Sequence, residues 1–216
     1  MHGNNEENIF VNNFEFGTLA LIANRINVGI IGGGKAGFIK AKAFTSRGFN
    51  VEVVSIDFVE EFSLLEYEKN FSKTLGEYSE EFLNDKHIVI VAINDDLMRN
   101  NIIFSCKEKY KLYIDCSDFK NGLAIVPFQV ETDSLLCSVN SKGGNPRVTR
   151  KVSEKVKKIL LSEENYVKFT TKIRNQLKGK DIFKEVMDFL LEDDFREFFN
   201  KGYGKIILKM FYDDLF

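Results

Sequence analysis

The chain has 216 residues, 44% of them hydrophobic and 29% charged, a balance that suits one ordinary soluble domain plus a smaller second one. A formal net charge of −2 gives no electrostatic case for nucleic acid or a membrane surface. No apolar run approaches the ~18 residues of a membrane span, and two histidines, His2 and His87, are too few for a histidine-rich metal site.

Three cysteines, Cys106, Cys116 and Cys137, show no paired spacing, which predicts reduced thiols in a cytoplasmic protein. Met1 to Asn13 is polar and Asn-rich, without the pattern of a signal peptide. Residues 9–27 mix Phe10, Phe14 and Phe16 with Leu19, Leu21, Ile22 and Ile26, and predict a short leading strand or two. Val28, Ile30 and Ile31 then read as a buried strand that stops at Gly32-Gly-Gly34. A helical pattern follows at once through Ala36, Phe38, Ile39, Ala41 and Phe44. Gly32-x-Gly34-x-x-Gly37 has dinucleotide-binding spacing: a tight turn, a close approach of backbone to diphosphate, and close packing of helix on strand. The diphosphate would sit on the free N–H groups around Lys35 and Ala36, at the positive end of that helix. Gly29-x-x-x-x-Gly34-Lys35 matches all but the last position of a Walker A loop. Ala36 there lacks the Mg²⁺-binding hydroxyl, and Gly29 falls inside the strand.

Asn50 to Asp57 reads as the second strand, and Asp57 stands about 20 residues past Gly37, where a ribose-binding carboxylate is expected. Such a carboxylate accepts hydrogen bonds from the ribose and repels a 2′-phosphate, favouring NAD over NADP. The alternative is that Asp57 only caps the helix expected over 58–65, as a good N-cap residue; the glycines and the spacing favour the ribose. An edge strand near Tyr67–Phe71 and a short helix over Ser79–Leu83 follow. His87 to Ile93 is the continuous apolar run of a strand covered on both faces. Asn94-Asp95-Asp96 opens a helix that runs through Cys106, and Lys111 to Cys116 is a fifth strand ending in Ser117-Asp118. This alternation predicts a parallel Rossmann-type α/β sheet over residues 1–121.

After Gly122 the pattern changes. Leu123–Val130 and Ser134–Val139 read as a hairpin, giving a β dimerisation element over 122–145. Ser141-Lys-Gly-Gly-Asn-Pro146 is a second glycine loop, with Asn145 as N-cap and Pro146 at the first helical position. An all-helical domain over 146–216 begins with an apolar face of Val148, Val152, Val156, Ile159 and Leu160. Gly179 and Gly202 read as helix ends, and the Phe-rich stripes between and after them read as core.

Four stretches, Ile30–Lys42, Val91–Asp96, Ile114–Asp118 and Ser138–Arg147, together resemble the precorrin-2 dehydrogenase / sirohydrochlorin ferrochelatase family, the N-terminal module of siroheme synthases. The resemblance implies an NAD-dependent oxidoreductase that takes a hydride and a proton from a reduced tetrapyrrole. It further implies a homodimer and, in bifunctional members, insertion of Fe²⁺ as a substrate. Asp118 matches the family's key aspartate after the fifth strand, while Asn94 and Asp95 fall in the stretch beside the cofactor. The substrate is a polycarboxylate, so Lys120, Lys142, Arg147 and Arg150 are its candidate cationic partners, with Ser141 and Asn145 as contacts or as shapers of the loop. His87, at a strand start, reads as a hydrogen-bonded structural histidine rather than an iron ligand. The chain departs from the family pattern at Asn94, at Arg99 in place of an asparagine, at Asp115-Cys116-Ser117, and at Lys142. Two rival readings are a non-catalytic NAD-sensing module and a dehydrogenase of another anionic substrate.

Overall fold

The computed structural model describes residues 15–212. It divides into two compact units, one over residues 17–126 and one that starts at Pro127.

The first unit is a five-stranded sheet: β1 (Asn27–Gly33), β2 (Asn50–Phe58), β3 (Phe71–Leu75), β4 (Ile88–Val91) and β5 (Leu112–Asp115), in the order β3-β2-β1-β4-β5 with every pair parallel. Successive side chains of a strand face opposite ways, and here both faces are covered. Val28, Ile30, Val53, Ile88 and Ile90 pack with Ala41 and Phe44 of α1 (Lys35–Thr45). Ile31, Val54, Val89 and Val91 pack with Ile102, Ile103 and Cys106 of α2 (Asp96–Glu108). That double cover is why β1 and β4 are apolar at almost every position. Gly29 lies within β1, so the strand-internal reading that sets aside a Walker A loop agrees with the structure.

Several boundaries differ from the sequence pattern. Among residues 15–26 there is one short 3-10 turn, Ala23–Arg25, in place of a leading strand; residues 9–14 lie outside the described residues. The segment expected as a helix over 58–65 is a 3-10 helix, Glu60–Leu65. A 3-10 turn stacks positions i and i+3 on one side, which is how Phe62 and Leu65 are both buried. The edge strand begins at Phe71, where the sequence pattern has it end. His87 behaves as a structural histidine, its Nδ1 accepting the Asn27 N–H at 3.0 Å.

In the second unit β6 (Phe128–Glu131) and β7 (Leu136–Val139) form the expected antiparallel hairpin, with a first arm shorter than predicted. Pro127 has no N–H to donate to a ladder, and the Leu123 and Ala124 amides bond the Tyr113 carbonyl within the first unit. α3 (Pro146–Leu177) runs for 32 residues, followed by α4 (Phe183–Leu190), α5 (Asp193–Asn200) and α6 (Gly204–Phe211). Gly179 and Gly202 end helices in the left-handed region. Ile173, Leu177, Val186, Leu190, Phe195 and Leu208 form the core, with Phe169, Phe189 and Phe199 packed on it. The hairpin is fastened to α3 by Glu164, which accepts from the hydroxyls of Thr132 and Ser134 and pairs with Lys168 at 3.0 Å. The Thr132 hydrogen bond leads in holding its carboxyl near 2. On the apolar face of α3, Val148, Val152 and Ile159 are exposed, while Thr149 and Ser153 beside them are buried.

Candidate functional site

The chain order reverses direction across the sheet between β1 and β4, so the carboxyl ends of those two strands flank the crevice where open α/β sheets bind ligands. The turn leaving β1 is built for a backbone approach. Gly32 has φ +117°, and a Cβ there would stand 2.3 Å from the Ala92 carbonyl oxygen at the end of β4. Gly34 is the N-cap of α1, exposed, and a Cβ there would meet nothing within 4 Å. Phe38 is the first residue of α1 whose N–H bonds back, to the Gly34 carbonyl at 2.9 Å. The amides of Lys35, Ala36 and Gly37 are therefore the orphan donors of the helix start.

Electrostatics separates the two helix starts of the crevice. The first turn of α1 has no acid and carries Lys35, whereas α2 is capped by Asp95, which accepts the Met98 N–H at 2.9 Å, with Asp96 next. A diphosphate is attracted to the first and repelled by the second. Asn94 and Asp95 are both exposed on the β4 side of the crevice.

Asp57 lies one residue from the end of β2, exposed on the same edge, with Oδ1 accepting the Phe58 N–H at 2.8 Å. It does not cap the 3-10 segment that follows: the N-cap there is Val59, without a side-chain bond.

Asp118 follows β5 at the same edge. It caps the 3-10 turn Phe119–Asn121, with Oδ1 accepting the Lys120 N–H at 3.1 Å and Oδ2 the Asn121 side-chain amide at 3.4 Å. The side chain is half-buried, and Lys120 beside it is exposed. Beneath the turn lies Asp115, fully buried, whose Oδ1 accepts the amides of Ser117 at 2.8 Å and Asp118 at 3.1 Å. Arg99 of α2 reaches it, Nε to Oδ2 at 3.5 Å, and also holds Asp96 at 2.7 Å. Neither Arg99 nor Asp115 is a site candidate on sequence grounds. Their signals were local and separate: an aspartate two and three residues ahead of turn amides, and an Asp-x-x-Arg pair on a helix start.

The remaining candidates belong to the second unit. Gly144 has φ +73°, Asn145 caps α3 by accepting the Val148 N–H at 3.2 Å, and Ser141 Oγ accepts the Asn145 N–H at 2.7 Å. The buried Thr149 hydroxyl lies 2.9 Å from Ser141 Oγ. Ser141 and Asn145 thus build the loop, while Lys142, Arg147 and Arg150 are exposed around a helix start that has no acid in its first turn.

A parallel sheet with a glycine turn and an acid-free helix start at its switch point defines a dinucleotide-binding α/β domain. Residues 19–128 match the family described as putative NAD(P)-binding, and the chain belongs to that family. It is 25% identical over 132 residues to siroheme synthase 2 of Klebsiella pneumoniae, covering 61% of this chain and 29% of that protein. To the siroheme synthase of Baumannia cicadellinicola it is 23% identical over 145 residues, 66% of this chain and 31% of that one. The chain therefore spans less than a third of the curated relatives it matches. Its fold matches a solved structure of SirC, a precorrin-2 dehydrogenase, with a TM-score of 0.66 and 22% identity over 86% of this chain and 98% of the other.

Proposed function

We propose that this chain is an NAD-dependent dehydrogenase that oxidises precorrin-2 to sirohydrochlorin in siroheme biosynthesis. The observation that carries the reading is one crevice edge holding both parts. The turn of Gly32, Gly34 and Gly37 with its orphan amides is at β1, and the Asp118 carboxylate follows β5 on the same side of a parallel sheet. The names of the relatives and the fold shared with a precorrin-2 dehydrogenase supply the substrate.

The amides of Lys35, Ala36 and Gly37 would hold the diphosphate of NAD and Asp57 its ribose, and the bound cofactor would supply the hydride acceptor. Asp118 takes the proton that leaves the same substrate, so the tetrapyrrole loses two electrons and two hydrogens, and the proton passes to solvent. Lys120, beside Asp118, is the cation this unit offers a substrate carboxylate. In the second unit Asn145 and Ser141 hold a loop around which Lys142, Arg147 and Arg150 are exposed, a cationic surface suited to carboxylates. The domain line we draw is a cofactor domain over 1–121, a dimerisation hairpin over 122–145 and a helical domain over 146–216. The homodimer buries the exposed apolar residues Val148, Val152 and Ile159 of α3, and light scattering reads its mass.

Among the described residues no helix is long and apolar enough to cross a membrane. The biosynthetic role proposed above, rather than that absence, is the ground on which we place the protein in the cytoplasm. The deciding experiment incubates the protein with NAD and precorrin-2 and follows NADH absorbance. Bound NAD without turnover of precorrin-2 favours a sensing module, and turnover of another anionic substrate the third reading. Repeating the assay with sirohydrochlorin and Fe²⁺ tests whether the same crevice also supports metal insertion.

Asp57 sets the cofactor. Asp57→Ser removes the charge that repels a 2′-phosphate, and is expected to weaken NAD about tenfold, the loss of roughly one charge-assisted hydrogen bond. NADP should tighten relative to NAD. Titration calorimetry with both cofactors reads the change, and an unaltered preference would remove Asp57 from the ribose site.

A further inference from the structure

We propose that Arg99 and Asp115 are positioning residues for Asp118: the buried Asp115 carboxylate holds the Ser117–Asp118 turn by its amides, and Arg99 fixes that carboxylate from the first turn of α2. The proposal rests on the reading of Asp118 as the proton acceptor.

The geometry is unusual for a pair that only stabilises a fold. Asp115 is the last residue of β5, its side chain 0% exposed, and Arg99 is 15% exposed. One Asp115 oxygen is taken by the two turn amides. The other faces Arg99 Nε, and neither of those two atoms has a hydrogen bond. An anion buried in this way depends on its counter-charge, and a well-packed apolar pair would be at least as stable. What an apolar pair would lack is an acceptor for the Ser117 and Asp118 amides. The guanidinium is also clamped from outside by Asp96, so it cannot turn away to solvent without breaking a second ion pair. Ser117 Oγ donates to the Ile93 carbonyl at 3.3 Å and the Cys116 amide to Val91 at 3.0 Å, fixing the rest of the turn to the end of β4.

The pair thereby ties the start of α2 to the turn that carries Asp118. Arg99 is on the helix opened by Asn94 and Asp95, and Asp115 is three residues before Asp118. Without Arg99, the Asp115 carboxylate is a buried charge facing no counter-charge and is drawn toward water, which loosens the amides that set the direction of Asp118. The two residues are also two of the points at which the chain departs from the family pattern, and here they are in contact.

The test uses Arg99→Gln and Arg99→Lys in the full chain, with three readouts. Arg99→Gln is expected to lower kcat about a hundredfold, the cost of a reacting group displaced by an ångström or so. The KM for substrate and the Kd for NAD should stay within about twofold, because ground-state binding does not use the pair. Arg99→Lys, which keeps the charge, recovers most of the lost kcat. Amide hydrogen exchange should quicken at Ser117 and Asp118 and stay slow at Ile90 and Val91. The proposal is overturned if Arg99→Gln turns over like the parent with unchanged exchange at the turn. It is equally overturned if kcat falls together with NAD affinity and exchange quickens across the sheet, the signature of a fold support. Should Arg99→Gln not fold, Asp115→Asn is carried through the same measurements. If the parent protein forms no NADH from precorrin-2, the dehydrogenase reading fails, while the exchange comparison still decides whether the pair holds the turn.

Discussion

Asp118→Asn is expected to lower kcat for sirohydrochlorin formation about a thousandfold, within the range that a lost general base costs, while NAD binds as before. The choice of asparagine matters, because Asp118 has two jobs. Its Oδ1 caps the Phe119–Asn121 turn by accepting the Lys120 amide at 3.1 Å, and asparagine caps as well as aspartate. Alanine would remove the cap too, at a cost of about 1 kcal/mol, and a fall in rate could then reflect a displaced turn. With asparagine the backbone cap persists, and what is lost is the proton acceptor together with the long 3.4 Å bond that Oδ2 accepts from the Asn121 side-chain amide. Calorimetry with NAD and a kcat measurement on precorrin-2 read the two effects separately. Full turnover in the asparagine variant would move the base elsewhere in the crevice and leave Asp118 as a cap only.

The contrast between Asp118 and its support shows what a sequence can and cannot display. The glycine turn was legible because its causes are local: β-branched residues ending at three glycines, an acid-free helix start, and one carboxylate at the end of the next strand. All of these survive in the structure at the expected positions. Asp115 was visible only as a departure, since its partner Arg99 stands in a different element and nothing in either neighbourhood announces the other. The face of Val148, Val152 and Ile159 makes the same point in reverse. Its periodicity was clear, yet periodicity says that a face is apolar, not what covers it, and in the chain by itself these residues are exposed. The segment over 58–65 was misread in type because Phe62 and Leu65 are three apart, a spacing that α and 3-10 turns share.

Gly34→Val and Gly37→Ala should separate binding from folding at the same turn. Gly34 has φ −77° and ψ −176°, an extended conformation that valine prefers, and a Cβ there meets nothing within 4 Å. The valine variant should therefore melt close to the parent, within the roughly 1 kcal/mol that a poorer N-cap residue costs. The added branch is expected to crowd a diphosphate approaching the Lys35, Ala36 and Gly37 amides. A loss of about a hundredfold in NAD affinity, some 2.8 kcal/mol, is expected from calorimetry. At Gly37 the order is reversed. A Cβ would fall 2.0 Å from the Gly32 carbonyl oxygen, between α1 and β1, where neither backbone can yield alone. Alanine there should cost about 3 kcal/mol of stability as overpacking, with affinity lost as a consequence of the displaced helix. If the valine variant keeps the parent's NAD affinity while folding normally, no diphosphate lies on the start of α1, and the dehydrogenase assignment goes with it.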